Sequence, residues 1–203
     1  MMRTASATTL RNALKNCDKA SAADAFLRSL TADEADFLNH DWQFWARDDQ
    51  LPPATTPNGE AWTTWLLLGG RGAGKTRAGA EWVRGIALGR APFADRPVER
   101  IALIGETLGD ARAVMIDGPS GLLAIHPASE RPNYNASRRE LVWPNGAIAQ
   151  LFSADDPESL RGPQFGAAWA DELAKWRYGT RAWDMLQFCL RLGAVSQPLK
   201  TVL

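Results

Sequence analysis

Histidine and cysteine are scarce in this sequence, two of each in 203 residues. Cys17 and Cys189 stand far apart with no C-x-x-C spacing, which argues against a zinc site or a disulfide framework and leaves two reduced thiols as the expectation. Long apolar runs are missing: nothing approaches the ~18 consecutive apolar residues of a membrane span. Met1–Leu10 carries one arginine and no apolar segment, unlike a secretory leader, so a cytoplasmic location with no membrane attachment is expected. Net charge is absent as well. Lysine plus arginine and aspartate plus glutamate number 23 each, which excludes a globally basic coat for nucleic acid; any such contact has to come from a local patch. Lysine itself is rare, five against eighteen arginines. What remains, 45% hydrophobic and 23% charged residues with nine tryptophans, is the composition of a folded globular chain, neither disordered nor collagenous nor coiled-coil.

The zero total is a sum of unlike parts. Asp24–Glu60 holds eight acidic and two basic residues, whereas residues 61–203 hold seventeen basic and fourteen acidic. Residues 1–20 are polar and alanine-rich and read as a flexible tail, with at most a short helix. Residues 21–60 read as a helical lobe: a helical pattern from Ser21, then a capping box at Thr31–Glu34 leading into Phe37 and Leu38. The run LPPATTPNG, Leu51–Gly59, interrupts every periodicity and marks a linker. From residue 61 strands and helices alternate. The patterns predict a strand at Trp62–Leu68, a helix at Thr76–Leu88 ended by Gly89, a strand at Ile101–Ile104 and a helix near Leu108–Ile116. They further predict a hairpin over Glu140–Phe152 turning at Pro144-Asn145-Gly146, a short buried strand at Ala167–Ala170, a helix from Ala182 to Leu192 closed by Gly193, and a strand beginning at Leu199. Such alternation predicts an α/β fold with a mostly parallel sheet flanked by helices.

Gly69-Gly70-Arg71-Gly72-Ala73-Gly74-Lys75-Thr76 fits G-x-x-x-x-G-K-[ST] at every fixed position and lies between an apolar strand and a helix. The glycines let the loop curl until its backbone N–H groups face inward, and the following helix adds its positive end, so the loop makes a nest for phosphates. Lys75 is placed to neutralise the outer phosphates and the Thr76 hydroxyl to ligate Mg²⁺. Farther on, the apolar Ala167–Ala170 ends in Asp171 and Glu172. Nucleotide hydrolysis wants two carboxylates with different jobs there: Asp171 to hold the Mg²⁺ shell, Glu172 to polarise the attacking water. The competing structural role is that Asp171 caps a helix over Leu173–Tyr178 with Glu172 in its first turn.

Together with DWQFWARDDQLPP (41–53), IALIGETLGDAR (101–112), the Pro157–Gly162 run PESLRG followed by Asp171-Glu172-Leu173, and WDMLQFCLRLG (183–193), these motifs make the chain resemble the large terminase subunit of tailed bacteriophages. The resemblance runs in order from Asp41 to Gly193 and is nearest to the version found in gene transfer agents and related prophages of alphaproteobacteria. It implies a P-loop NTPase fold of the ASCE type, an ATPase using ATP and Mg²⁺, and a motor that drives double-stranded DNA through a portal into a capsid. The implied partners are the portal protein, a small terminase subunit and further copies of the chain in a ring. By the same resemblance Gln50 takes the place of an adenine-contacting glutamine, with Trp42 and Trp45 as stacking or packing neighbours. Arg71 takes the place of an arginine that senses the γ-phosphate, against a plain solvated loop charge. Arg161 is left between acting on a neighbouring subunit's nucleotide or on DNA, and pairing with Asp155 or Glu158. Family members continue with a threonine-rich coupling segment and a metal-binding nuclease domain; this sequence stops inside the strand before them, so residues 61–203 read as an incomplete ATPase core without nuclease activity. A helicase-like P-loop ATPase and a non-hydrolysing nucleotide-binding remnant of a split prophage gene are the alternatives.

Overall fold

The computed structural model of the chain describes residues 11–12, 20–192 and 200–202. Most of the tail and Cys17 and Gly193 lie outside the described residues; Arg11, inside them, is buried and pairs with Asp48 at 3.2 Å. The chain divides into two compact units, Met1–Leu51 and Pro52–Leu203.

The N-terminal unit is helical: α1 (Ala20–Ser29), α2 (Ala32–Asn39) and the single turn α3 (Trp42–Trp45). The capping box at the start of α2 forms as its sequence requires. Thr31 accepts from the Glu34 backbone N–H, and the Glu34 carboxylate accepts from the Thr31 N–H at 2.9 Å, so two otherwise orphaned donors are satisfied. Asp41 caps α3 in the same manner, accepting from Gln43 and Phe44.

The C-terminal unit is built on one seven-stranded mixed sheet of the described residues. Its strands are β1 (Thr64–Trp65), β2 (Arg100–Gly105), β3 (Asn133–Asn135), β4 (Glu140–Val142), β5 (Ile148–Ser153), β6 (Ala167–Ala170) and β7 (Lys200–Val202), in the spatial order β1-β7-β6-β2-β5-β4-β3. The five strands from β1 to β5 in that order run parallel; β4 and β3 add to the edge antiparallel. Residues Ile101–Gly105 and Ala167–Ala170 are buried throughout, the unbroken apolar pattern of strands covered on both faces. Helix α4 (Lys75–Leu88) buries Ala78, Trp82, Val83 and Ile86 and ends at Gly89, whose left-handed φ of 64° only glycine adopts without strain. Helices α5 (Leu108–Ala111, continued by a π turn over Arg112–Ile116) and α6 (Gly179–Cys189) complete the layers. No helix among the described residues is long and apolar enough to cross a membrane.

Several predicted elements shift. The strand at Trp62–Leu68 shrinks to Thr64–Trp65, and Leu66 and Leu68 are exposed. The helix Leu173–Tyr178 is a single 3₁₀ turn, Leu173–Lys175, and α6 starts and stops three residues before its expected ends. Strand β3 has only one apolar side chain, Tyr134, and carries no alternating pattern in the sequence.

Candidate functional site: a phosphate loop facing an acidic strand end

Parallel strands gather their C-terminal ends on one side of the sheet, and there the loops after β1, β2, β5 and β6 emerge. The loop after β1 is Gly69–Gly74. Gly72 (φ 74°) and Gly74 (φ 80°) both adopt left-handed backbone, and Gly74 sits at the N-cap of α4, so the curl that the motif's glycines permit is present. A Cβ on Gly69 would come within 2.9 Å of the Ala73 Cβ, closing the cradle. Lys75 opens α4, and its ammonium donates to the carbonyls of Gly69 at 2.7 Å and Gly70 at 3.1 Å. Thr76 follows in the first turn, half-buried. Arg71 is exposed and has no ion-pair partner among the described residues.

Strand β6 brings the acids to the same side. Its ladder to β2 is prolonged by the Asp171 N–H, which donates to the Ile104 carbonyl at 2.8 Å, and the Trp176 indole donates to the Asp171 carbonyl at 3.0 Å. The Asp171 backbone is thus pinned from two directions. Its carboxyl is pushed up to about 6: burial is the largest cause and the neighbouring Glu172 charge the second, while Lys175 and Lys75 pull the other way without cancelling them. The pull from Lys75 is the smallest of the four influences. Strand β7 lies between β1 and β6, one strand spacing from each.

Glu172 has a left-handed backbone, φ 53°, and occupies the N-cap position of the 3₁₀ turn without a side-chain cap bond. Asp171 therefore caps no helix, and the competing structural role for the pair falls away. Glu172 is exposed and pairs with Lys175 at 3.3 Å. Sequence reasoning passed over Lys175 and Trp176, although the i, i+3 spacing of Glu172 and Lys175 within one turn was available to it.

The remaining candidates separate. Arg161 pairs with Glu158 at 2.8 Å, not with Asp155, and Glu158 also holds Arg181. Gln50 belongs to the N-terminal unit, where it is buried and its side-chain carbonyl accepts from the Arg47 N–H at 3.0 Å. Trp42 is buried; Trp45 is half-exposed, stacks edge-on against Phe44 and donates to the Leu38 carbonyl at 2.7 Å.

The family model described as terminase large subunit, T4likevirus-type, N-terminal, matches residues 66–201. Among solved structures, the large terminase from a thermophilic bacteriophage is similar with a TM-score of 0.53 at 17% identity, over 82% of this chain and 37% of that one. The Thermus phage P74-26 large terminase ATPase domain is similar with a TM-score of 0.44 at 19% identity, over 69% of this chain and 58% of that one. The chain thus spans less than two thirds of either protein's length. The first of these likenesses shows a shared fold, an α/β P-loop core with a mixed sheet flanked by helices. No curated protein matches the chain.

Proposed function

The chain belongs to the family of large terminase subunits, T4likevirus-type, in its N-terminal part, and on that premise we propose that it is the ATP-hydrolysing motor part of a DNA-packaging machine. The observation that carries the reading is topological: the phosphate loop follows β1 and the acid pair follows β6, both at the C-terminal ends of parallel strands separated by β7 alone.

The residues present suit a magnesium nucleotide. Gly69, Gly70, Gly72, Ala73 and Gly74 offer an exposed or half-exposed backbone cradle that a Cβ at position 69 would crowd. Asp171 and the Thr76 hydroxyl are hard oxygen donors, and among the described residues no three acidic, histidine or cysteine side chains cluster into an all-protein metal cage. One carboxylate plus one hydroxyl is the donor set of Mg²⁺ that arrives with phosphates and waters as its other ligands. When bound, that ion would neutralise charge on the transferring phosphoryl group. In this reading Lys75 leaves the carbonyls of Gly69 and Gly70 for phosphate oxygens, Arg71 reaches over the loop toward the outermost phosphate, and Glu172 leaves Lys175 to orient a water and accept its proton. Gln50 is the candidate for an adenine contact by the resemblance alone. Hydrolysis would then power movement of double-stranded DNA into a phage or gene-transfer-agent capsid, in a ring of like chains assembled with a portal protein and a small subunit in the host cytoplasm.

The test is a pair of substitutions. Glu172→Gln keeps nucleotide affinity and lowers turnover by about 10²-fold or more, the share of a general base. Lys75→Ala loses nucleotide affinity. Equal steady-state ATPase rates for Glu172→Gln and wild type would end the assignment of the base.

A further inference from the structure

A second polar pocket opens on the same side of the sheet, away from the phosphate loop. It encloses about 300 Å³ at the ends of β2 and β5, with Arg138, Arg139, Gln150, Asp156 and Ser137 in its walls. Three strand spacings separate β1 from β2 and four separate β1 from β5, roughly 14–19 Å at the usual interstrand distance. A phosphate cradled by the loop after β1 does not reach it.

Arg139 gives the pocket its character. It has a left-handed backbone, φ 56°, at the end of the β3–β4 turn, where glycine is the ordinary choice and any other residue is strained. Its carbonyl accepts from the Leu151 N–H at 2.9 Å, which ties the turn to β5. Arg139 is among the residues that line the pocket; it is exposed, and its side chain makes no hydrogen bond or ion pair among the described residues. Its neighbour Arg138 is different, being paired with Glu140 at 3.2 Å. The chain therefore keeps an unpaired, strained arginine where glycine would fit more easily, beside the unpaired Gln150 amide. Strained residues of this kind cluster at binding sites.

An arginine fork with a neighbouring amide donor matches the oxygens of a phosphate. Asp156 on the same lining offsets the extra attraction that Arg139 would exert on a doubly charged phosphate. Its carboxylate repels a dianionic monoester or free phosphate about twice as strongly as a phosphodiester, which carries a single charge. We propose that this pocket seats one backbone phosphodiester of the nucleic acid, with Arg139 as its anchoring cation and Asp156 as the element that rejects free phosphate. The identity of the strand rests on the motor reading above; the phosphodiester chemistry rests on the pocket.

The experiment uses the full chain and a fluorescent DNA duplex of about 30 base pairs, followed by anisotropy between 50 and 200 mM salt, the span over which phosphate contacts register. Arg139→Gly relieves the left-handed strain, so its Tm stays level or rises, and its DNA-independent ATP turnover stays at the wild-type rate. Duplex affinity nevertheless falls roughly tenfold, and the slope of log K against log salt becomes shallower by about one. Arg139→Asn, which also tolerates this backbone, gives the same loss. Inorganic phosphate competes poorly with the duplex in wild type and better in Asp156→Asn. Wild-type duplex affinity and slope in both Arg139 variants, no duplex binding by wild type, or equal phosphate competition with and without Asp156 would each overturn the proposal. Duplex binding that depends on Arg139 in a chain that turns over no ATP would sink the motor reading and leave the pocket standing.

Discussion

Two titratable groups, buried His126 and half-buried Asp171, push the acid response in opposite directions. His126 is 1% exposed; its Nδ1 lies 2.5 Å from the Leu122 carbonyl and its Nε2 2.9 Å from the Trp143 indole nitrogen. An indole N–H only donates, so Nε2 accepts and Nδ1 carries the proton. A second proton on Nε2 would set two donors face to face in a buried site. Burial is the main reason that the imidazole is lowered to about 4, with Arg84 and Arg90 adding to it and the Leu122 carbonyl and Glu130 resisting. Between 6.5 and about 4 the unfolded chain takes up this proton and the folded chain does not, so His126 costs stability as pH falls. Asp171 works the other way: with its carboxyl raised to about 6, the folded chain takes the proton first, and its contribution to stability grows as pH falls from 6 toward 3.8. Removing Asp171 should uncover the histidine. In Asp171→Asn the fall of unfolding free energy with acid, measured by urea titration from about pH 6 to 4.5, is expected to be steeper than in wild type by up to about 1.4 kcal/mol per pH unit. Parallel curves for the two proteins would show that Asp171 is not buried as described.

Helix α4 and strand β6 determine how the elements hold the site together, because Gly79 lies against Trp169. A Cβ on Gly79 would stand 2.4 Å from the Trp169 Cε2, so the helix that begins with the phosphate loop packs directly onto the indole of the strand that ends in Asp171. Gly79→Ala should therefore be destabilising by roughly 1–3 kcal/mol through overpacking, although alanine favours an isolated helix by about 1 kcal/mol over glycine. Its chemical midpoint is expected to drop, and its ATP turnover to fall more than the loss of folded protein explains, since loop and carboxylate lose their register. A Tm above wild type would mean that the helix can step away from the sheet. The same elements mark how far the sequence could be read. Ala167–Ala170 and α4 were legible because burial on both faces leaves an unbroken apolar run and a helix leaves a periodic one. The phosphate loop and Asp171 follow directly from those two elements. The length of β1 was not legible: Trp65–Leu68 is uniformly apolar, but a strand ends where its partner ends, and β7, the partner, lies far along the chain, with Thr201 opposite Thr64. Nor does composition announce a left-handed glutamate at 172 or arginine at 139, since glycine is the residue that signals such backbone.

For the molecule as a whole, the two units differ in how much apolar surface they hide. Among the described residues of Met1–Leu51, the buried apolar side chains are Leu38, Trp42, Phe44 and Ala46, while Leu27, Phe37 and Trp45 are about half exposed. The C-terminal unit buries whole strands, three tryptophans at 2% exposure or less, and the cluster that joins Ile104, Phe165, Leu186 and Cys189. A unit of about 50 residues is already at the size where a core barely offsets the entropy of ordering the chain. The acidic excess of Asp24–Glu60 adds self-repulsion, which caps and local pairs such as Arg28–Asp24 at 2.9 Å relieve only in part. The junction is firmer than its proline content suggests. The Trp62 indole donates to the Pro53 carbonyl at 2.7 Å, and Thr56 and Glu60 close a turn through N–H bonds of 2.8 and 3.1 Å, all within the C-terminal unit. Opening of the helical unit is thus expected to stop near Leu51 and not spread through 52–60. Native-state hydrogen exchange should show amides of α1–α3 exchanging through a sub-global opening, at least about tenfold less protected than those of β2, β5 and β6, with protection rising between Leu51 and Trp62. Low salt should widen the gap, because it lengthens the reach of the acidic repulsion. Equal protection in both units at every salt concentration would mean that they unfold as one cooperative body, and that the sparse core of the helical unit is not what sets its stability.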